Sequence, residues 1–177
     1  MTQFSELQAA RAHARAHRLR ERAVCHITRP AGHGAALLVF DHVPAQGAGV
    51  QVVAGGVEPG ETPAQAALRE AAEETGQAGF TLRGYLGSAE WISEAHAKRD
   101  MRHFHHLLAP PDLPDTWEHA ADGHVFRFRW EPLPAPRLDW NLDLFLPSPA
   151  LTDTGPPDPG LTPPPIPGVP HDKETRA

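Results

Sequence analysis

Polar and apolar positions alternate with period two along several short stretches of this chain. Residues 124–133, HVFRFRWEPL, set Val125, Arg127 and Arg129 against Phe126, Phe128 and Trp130, the pattern of a half-buried strand with one polar face. Apolar runs at 23–28 (AVCHIT), 35–42 (AALLVFDH) and 48–53 (AGVQVV) predict three earlier strands, with Gly32 and Gly34 in the turn between the first two. Residues 80–92 (FTLRGYLGSAEWI) predict one bent strand or two, Gly84 and Gly87 being the natural bulge sites. Residues 101–109 (MRHFHHLLA) predict another.

Helical spacing marks three segments. Residues 11–22 (RAHARAHRLRER) read as a basic N-terminal helix. Residues 137–146 (RLDWNLDLFL) place Leu138, Leu142 and Phe145 or Leu146 on one stripe and predict a closing amphipathic helix. The best-signed helix starts at Thr62, an N-cap followed by Pro63 at the first helical position and Gln65 to complete a capping box, and it stops at Gly76. At about 100° per residue, Ala64, Ala67, Leu68, Ala71, Ala72 and Thr75 form a small-residue face, with Glu70, Glu73 and Glu74 on the other side.

Composition narrows the class. A length of 177 residues, 40% of them hydrophobic and 21% charged, suits one globular domain. No run approaches the length of a membrane span, and the N-terminus lacks a signal peptide's apolar core. Cys25 is the single cysteine, so a reducing cytoplasm is expected. A net charge of −6 argues against a nucleic-acid polymer or an anionic membrane as partner. From Pro147 the chain is proline-dense and without aromatics, a composition that cannot build a core. The expected organisation is a basic helix over 1–20, one domain over 21–147 and a disordered tail over 148–177.

The glutamates raise the chemical question. Like charges at helical neighbour spacing repel by roughly a few tenths of a kcal/mol per pair, so helix stability does not call for them. Three carboxylates on one turn suit a hard divalent cation, although a solvated acidic face is the commoner cause of such a cluster. The preceding loop tips the balance, because Gly55, Gly56 and Gly60 let backbone approach phosphate or metal just ahead of the helix. Arg69 flanks the cluster, within reach of Glu73 or Glu61.

The order Gly55, five residues, Glu61, seven residues, Arg69-Glu70-Ala71, one residue, Glu73-Glu74, one residue, Gly76 resembles the Nudix box. The box itself covers 23 residues (54–76), and the surrounding strands extend a weaker likeness over roughly 20–147. Gln77 departs from the aliphatic residue usual after the last glycine, at a packing position. The resemblance implies an α/β/α sandwich with a mixed central sheet. It implies hydrolysis of a diphosphate linkage in a nucleoside diphosphate joined to another moiety, with Mg²⁺, or alternatively Mn²⁺, as cofactor. It assigns the metal to Glu70, Glu73 and Glu74, and to Glu61 the bracing of Arg69. The general base is Glu118, in the loop expected between two strands, or Glu74 within the box; Asp115 and Asp122 are rivals.

Gly55 and Gly56 are expected to approach the substrate. Arg127 and Arg129 share a strand face suited to phosphate, or to plain solvation. Trp91, Trp117, Trp130 and Phe128 are candidates for base stacking, with core packing an equal explanation. His103, His105 and His106 look like a zinc cluster, but neighbours on a strand point to opposite faces, so substrate contact or packing is expected instead. The subfamily signals for ADP-ribose, dinucleoside polyphosphates, pyridine nucleotides and coenzyme A are absent, which leaves nucleoside triphosphates, nucleotide sugars or a broad range. A small nucleotide-type ligand and a monomer or homodimer are expected. A module that binds nucleotides without turnover is the competing reading.

Overall fold

A computed structural model describes residues 1–32, 34–45, 47, 49–94, 97–134, 137–146 and 148–152. In chain order the elements are β1 (Gln3–Phe4), α1 (Leu7–His17), β2 (Arg20–Ala31), β3 (Gly34–Val43), β4 (Ala54–Gly56), α2 (Pro63–Thr75), β5 (Thr81–Ser93), β6 (Lys98–Leu108), β7 (Thr116–Ala121) and β8 (His124–Pro132). Two short 3₁₀ turns follow, Asp139–Asn141 and Pro149–Thr152.

The strands form one mixed sheet in the order β1-β5-β6-β2-β3-β8-β7, with β4 added against β2. All its pairings are antiparallel except β2 with β6. On its other side β2 changes partner along its length: residues 22–24 meet β4, and residues 28–31 meet β3. The sheet therefore opens between β2 and β3, and the glycine loop enters that gap. The β5 bulges fall at Leu82/Gly84 and Tyr85/Gly87, as the glycines predict. A Cβ on Gly87 would stand 2.5 Å from the ring of Phe145, so this bulge is also where the C-terminal segment packs down.

Alternation assigns the layers. Met101 and Leu107 point the same way from β6; Met101 meets Ala10 and Ala14 of α1, and Leu107 joins the core under Ala66, Ala67 and Ala71 of α2. Both helices thus cover one face. Phe104 points the other way, into a second core with Leu138, Leu142, Leu146 and Leu151.

That second layer corrects the expected closing helix over 137–146. Its apolar positions are buried as predicted, yet the backbone is a string of turns, with Trp140, Asn141 and Phe145 at positive φ. His26 explains part of the choice: its Nε2–H donates to the Leu142 carbonyl at 2.8 Å, an acceptor that a continued helix would use internally. Leu151 is fully buried, so packing continues past residue 147; residues 153–177 of the expected tail lie outside the described residues.

The basic helix over 11–22 is corrected as well. Arg18 adopts a left-handed C-cap at φ 53, and Arg20 begins β2. The expected strand over 48–53 contributes only an isolated bridge from Gln51 to Phe40, with the regular ladder starting at Ala54; Ala48 lies outside the described residues. No helix among the described residues is long and apolar enough to cross a membrane.

Candidate functional site

The box folds as its caps dictate. The Thr62 hydroxyl accepts from the Gln65 amide, Gln65 Oε1 accepts from the Thr62 amide, and Gly76 closes the helix at φ 66. Helix α2 then buries Ala66, Ala67 and Ala71 together with Glu70 and Glu74, whereas Ala72 and Glu73 face solvent. The glutamates do not share one outer face as expected. Glu70 and Glu74 lie one turn apart on the buried side.

Arg69 organises the acids around it. Its guanidinium donates to Glu61 at 3.0 and 3.1 Å, to Glu70 at 2.9 Å, to Glu73 at 3.0 Å and to the Gly56 carbonyl at 2.8 Å. Burial pushes Glu61 up, but the Arg69 hydrogen bonds and the Glu58 amide outweigh it and leave its pKa lowered. The bracing expected between Glu61 and Arg69 is present. Gly55 is required for a steric reason: a Cβ there would lie 1.7 Å from the Glu70 carboxyl carbon.

Glu74 is the uncompensated member. Oε2 is buried without a hydrogen-bond partner, and burial, then the charge of Glu70, push its pKa up to about 8 against a hydrogen bond from Ala54. The same burial and the same two carboxylates raise Cys25, whose thiol donates to the Ala67 carbonyl and is held inert. Among the described residues no three His, Cys, Asp or Glu side chains are grouped to hold a metal ion, Glu73 being held by Arg69. The donors nevertheless fit a hard divalent cation. Glu70 and Glu74 offer only oxygen, and the orphaned Glu74 oxygen lacks the positive partner that a cation would be.

Glu70, Glu74, Gly55 and Gly56 line a cleft of about 480 Å³. Its opposite wall is basic: Arg20 and Arg22 from β2, with Lys98 and Arg102 from β6, all on one strand face. Arg22 and Arg102 are direct register partners, a repulsive pairing. Burial, then the charge of Arg22, lower the Arg102 pKa to about 10, and Asp100 offsets part of this. The Arg102 guanidinium lies 3.9 Å from the Trp91 ring centroid, and Trp140 stands beside Trp91 at 6.2 Å. Asp122, His42 and His124 complete the cleft from the other side.

Several expected site residues lie elsewhere. Glu118 sits in strand β7 instead of a loop, is half exposed, and pairs with its register partner Arg127 at 2.8 Å outside the cleft lining. Arg129 is held by Asp41 and Glu131. Trp117 stacks on Phe128 and donates to the Thr75 carbonyl, a packing role; Arg29 covers Trp130. His103 bonds Ser88 and Glu21, and His106 bonds Thr28, so these histidines serve the interior. Asp115 pairs with Arg29.

The residues missed were Arg20, Arg22, Lys98, Asp100, Arg102 and Trp140. Period two in Arg20/Arg22 and in Lys98/Asp100/Arg102 was the available signal, but the first pair had been absorbed into the expected helix.

Comparison with known proteins agrees with this fold. The NUDIX domain family model matches residues 18–148. The chain is similar to the solved NUDIX hydrolase from Nitrosomonas europaea, at 24% identity over 63% of this chain and 71% of that one, with a TM-score of 0.51. It is also similar to the MutT NUDIX hydrolase from Burkholderia pseudomallei, at 19% identity over 72% and 96%, TM-score 0.51. A UDP-X diphosphatase shares 12% identity over 69% and 55%, TM-score 0.52. Identities this low speak for the fold alone. No curated protein matches the sequence. A match over residues 18–148, taking in the capped box helix and the basic wall facing it, makes this chain a member of the NUDIX domain family.

Proposed function

We propose that this protein hydrolyses a diphosphate linkage in a nucleoside diphosphate joined to a further group, with Mg²⁺ or Mn²⁺ as cofactor. One observation carries the reading: the buried, unpartnered Glu74 oxygen beside Glu70 faces a cleft whose other wall is arginine. Nudix hydrolases generally use divalent metals and act on small nucleotide substrates. Glu70 and Glu74, with Glu73 adjacent, are the residues to hold the cation, which when bound supplies charge neutralisation to the diphosphate and acidifies water. The protein's own share is positioning. Arg20, Arg22 and Arg102 hold phosphate oxygens by charge-assisted hydrogen bonds, and Arg69, braced by Glu61, keeps the box loop fixed against α2.

For the general base we favour Asp122 over Glu118. Asp122 lines the cleft on the β7–β8 turn at φ 51, and its charge acts on Glu74. Glu74 itself remains the alternative within the box. A panel of nucleoside triphosphates and nucleotide sugars, incubated with the purified chain and Mg²⁺ or Mn²⁺, is expected to yield nucleoside monophosphate from at least one member. No turnover on any member would overturn the enzyme reading. The binding-module reading draws on one observation, that Glu73 is tied to Arg69 instead of joining Glu70 and Glu74. Tight nucleotide binding without turnover would favour it.

A further inference from the structure

Trp140 is unusual among the large apolar side chains. Only Met1, Ile92 and Trp140 are exposed among the described residues, and Trp140, at 46%, lines the cleft. Its backbone is left-handed, φ 59, next to Asn141 at φ 58, a conformation that bulky residues rarely adopt. The turn is held in place from both sides. The Asp139 amide donates to the Val50 carbonyl, the Val50 amide donates back to Asp139 Oδ2, each at 3.1 Å, and Arg102 donates to the Trp140 carbonyl. The surrounding structure thus fixes an exposed indole at the mouth of a charged cleft.

The sheet register gives that indole a direction. Gly56 of the box loop is the partner of Arg22, Arg22 is the partner of Arg102, and Arg102 pairs with Ala89 of β5, two residues from Trp91. From the box to Trp91 is three strand steps, about 14 Å at ~4.8 Å per step. Carboxylates stand at one end, arginines without ion-pair partners among the described residues lie between, and two tryptophans close the other end. An anionic chain capped by a planar aromatic group fits that order.

We propose that Trp140, backed by Trp91 and Arg102, is the subsite for the nucleobase of the substrate, whose phosphates lie across Arg102 and Arg22 toward Glu70 and Glu74. The direction of the chain rests on the diphosphate-hydrolase reading; the stacking platform does not. Its ligand class is a planar aromatic base, read by its π face and so tolerant of base identity. Besides meeting phosphate, Arg102 sets the platform through the Trp91 face and the Trp140 carbonyl.

The test measures binding without turnover. Calorimetry on the full chain compares a purine and a pyrimidine nucleoside triphosphate, each with a methylene bridge between the α and β phosphorus atoms, with methylenediphosphonate, which has the same linkage and no base. Trp140→Ala is expected to weaken nucleotide binding roughly 5- to 150-fold and to change methylenediphosphonate binding by less than about twofold. Trp140→Phe is expected to restore most of the nucleotide affinity. Equal losses for all probes, unchanged nucleotide affinity in Trp140→Ala, or no nucleotide binding by the unaltered protein would each overturn the subsite. Trp140-dependent binding with no hydrolysis of any nucleotide would leave the subsite standing and remove the hydrolase reading. Hydrolysis that survives with Trp140→Ala unaltered in affinity would do the reverse.

Discussion

The two walls of the cleft treat charge in opposite ways. On the box wall Arg69 is saturated, its guanidinium shared among Glu61, Glu70, Glu73 and the Gly56 carbonyl. On the β2–β6 wall Arg20, Arg22 and Arg102 have no carboxylate in ion-pair distance among the described residues, and two of them face each other in register. A saturated arginine is an architectural part, since removing it leaves buried acids uncompensated. Arg22 and Arg102 donate only to backbone carbonyls, of Ala54 and Trp140, which on the proposed function leaves their charge for an anionic substrate. Glu74 is their counterpart on the first wall, an acid with one buried oxygen left without a hydrogen-bond partner.

The sharpest way to break this contrast is to replace one arginine from each wall with methionine. Arg69→Met strips the partner from Glu61 and from buried Glu70, and removing one member of a buried pair costs about 3–5 kcal/mol. Arg102→Met removes a buried, repelled cation whose main losses are the Trp91 contact and the bond to the Trp140 carbonyl. Its ligand-free stability should stay within about 1 kcal/mol, because apolar replacement of a buried charge is often neutral. Urea midpoints of the two variants test this. Comparable destabilisation by both would show that the basic wall is structural too.

Glu74→Gln comes next. The change keeps the shape and removes a charge whose Oε2 has no hydrogen-bond partner, so the fold should survive. Turnover should fall by roughly 10²–10³, the loss typical of removing a group that stabilises transition-state charge. Near-normal rates at saturating metal would remove Glu74 from the site.

The same contrast explains what could be read from the chain. Box contacts span one to thirteen positions within a capped helix and its loop, from Arg69–Glu70 to Gly56–Arg69, and local chemistry alone specifies them: Thr62, Pro63, Gln65 and Gly76 fix the register that brings Arg69 to Glu61. The basic wall needs β2 to meet β6 some eighty positions away, and no local signal encodes that pairing. Arg20 and Arg22 misled because helical propensity continues smoothly through "HRLRER", while the left-handed Arg18 cap is not one that arginine advertises. At residues 137–146 the period of the leucines was read correctly and the backbone was not. Turns can bury the same four apolar positions, and here the His26–Leu142 bond and the Phe145 seat over Gly87 favour them. Within the helix, burial of Glu70 and Glu74 was misjudged because glutamate is ordinarily an outside residue.

His26 carries a smaller effect, on stability and not on the reaction. Burial, opposed by its bond to Leu142 and reinforced by His106, lowers its pKa to about 4 from an ordinary 6.5. Between those values the unfolded chain binds the proton and the folded chain does not. Its stabilising contribution is therefore complete above pH 6.5 and is lost as pH falls toward 4, at about 1.4 kcal/mol per pH unit. His105, also near 4, acts in the same sense. Denaturation midpoints at pH 7.5 and 5.5 should separate, and the gap should narrow in His26→Gln. An unchanged gap would mean that other groups carry the acid sensitivity.

The smallest expected effect belongs to Glu118, and it bears on which wall supplies the base. Glu118 and Arg127 are each about half exposed, and their 2.8 Å pair lies outside the cleft lining. An exposed pair of this kind is worth about 0.2–1 kcal/mol, so Glu118→Gln should leave turnover within about twofold and the metal dependence unaltered. Asp122→Asn, four positions on and inside the cleft, should instead lower turnover by roughly 10²–10⁴ if it removes a positioned base. Steady-state rates and a metal titration on both variants decide between them. A large loss in Glu118→Gln alone would mean that β7 moves its carboxylate into the reaction. A loss in neither returns the role to Glu74, whose buried Oε2 has no hydrogen-bond partner.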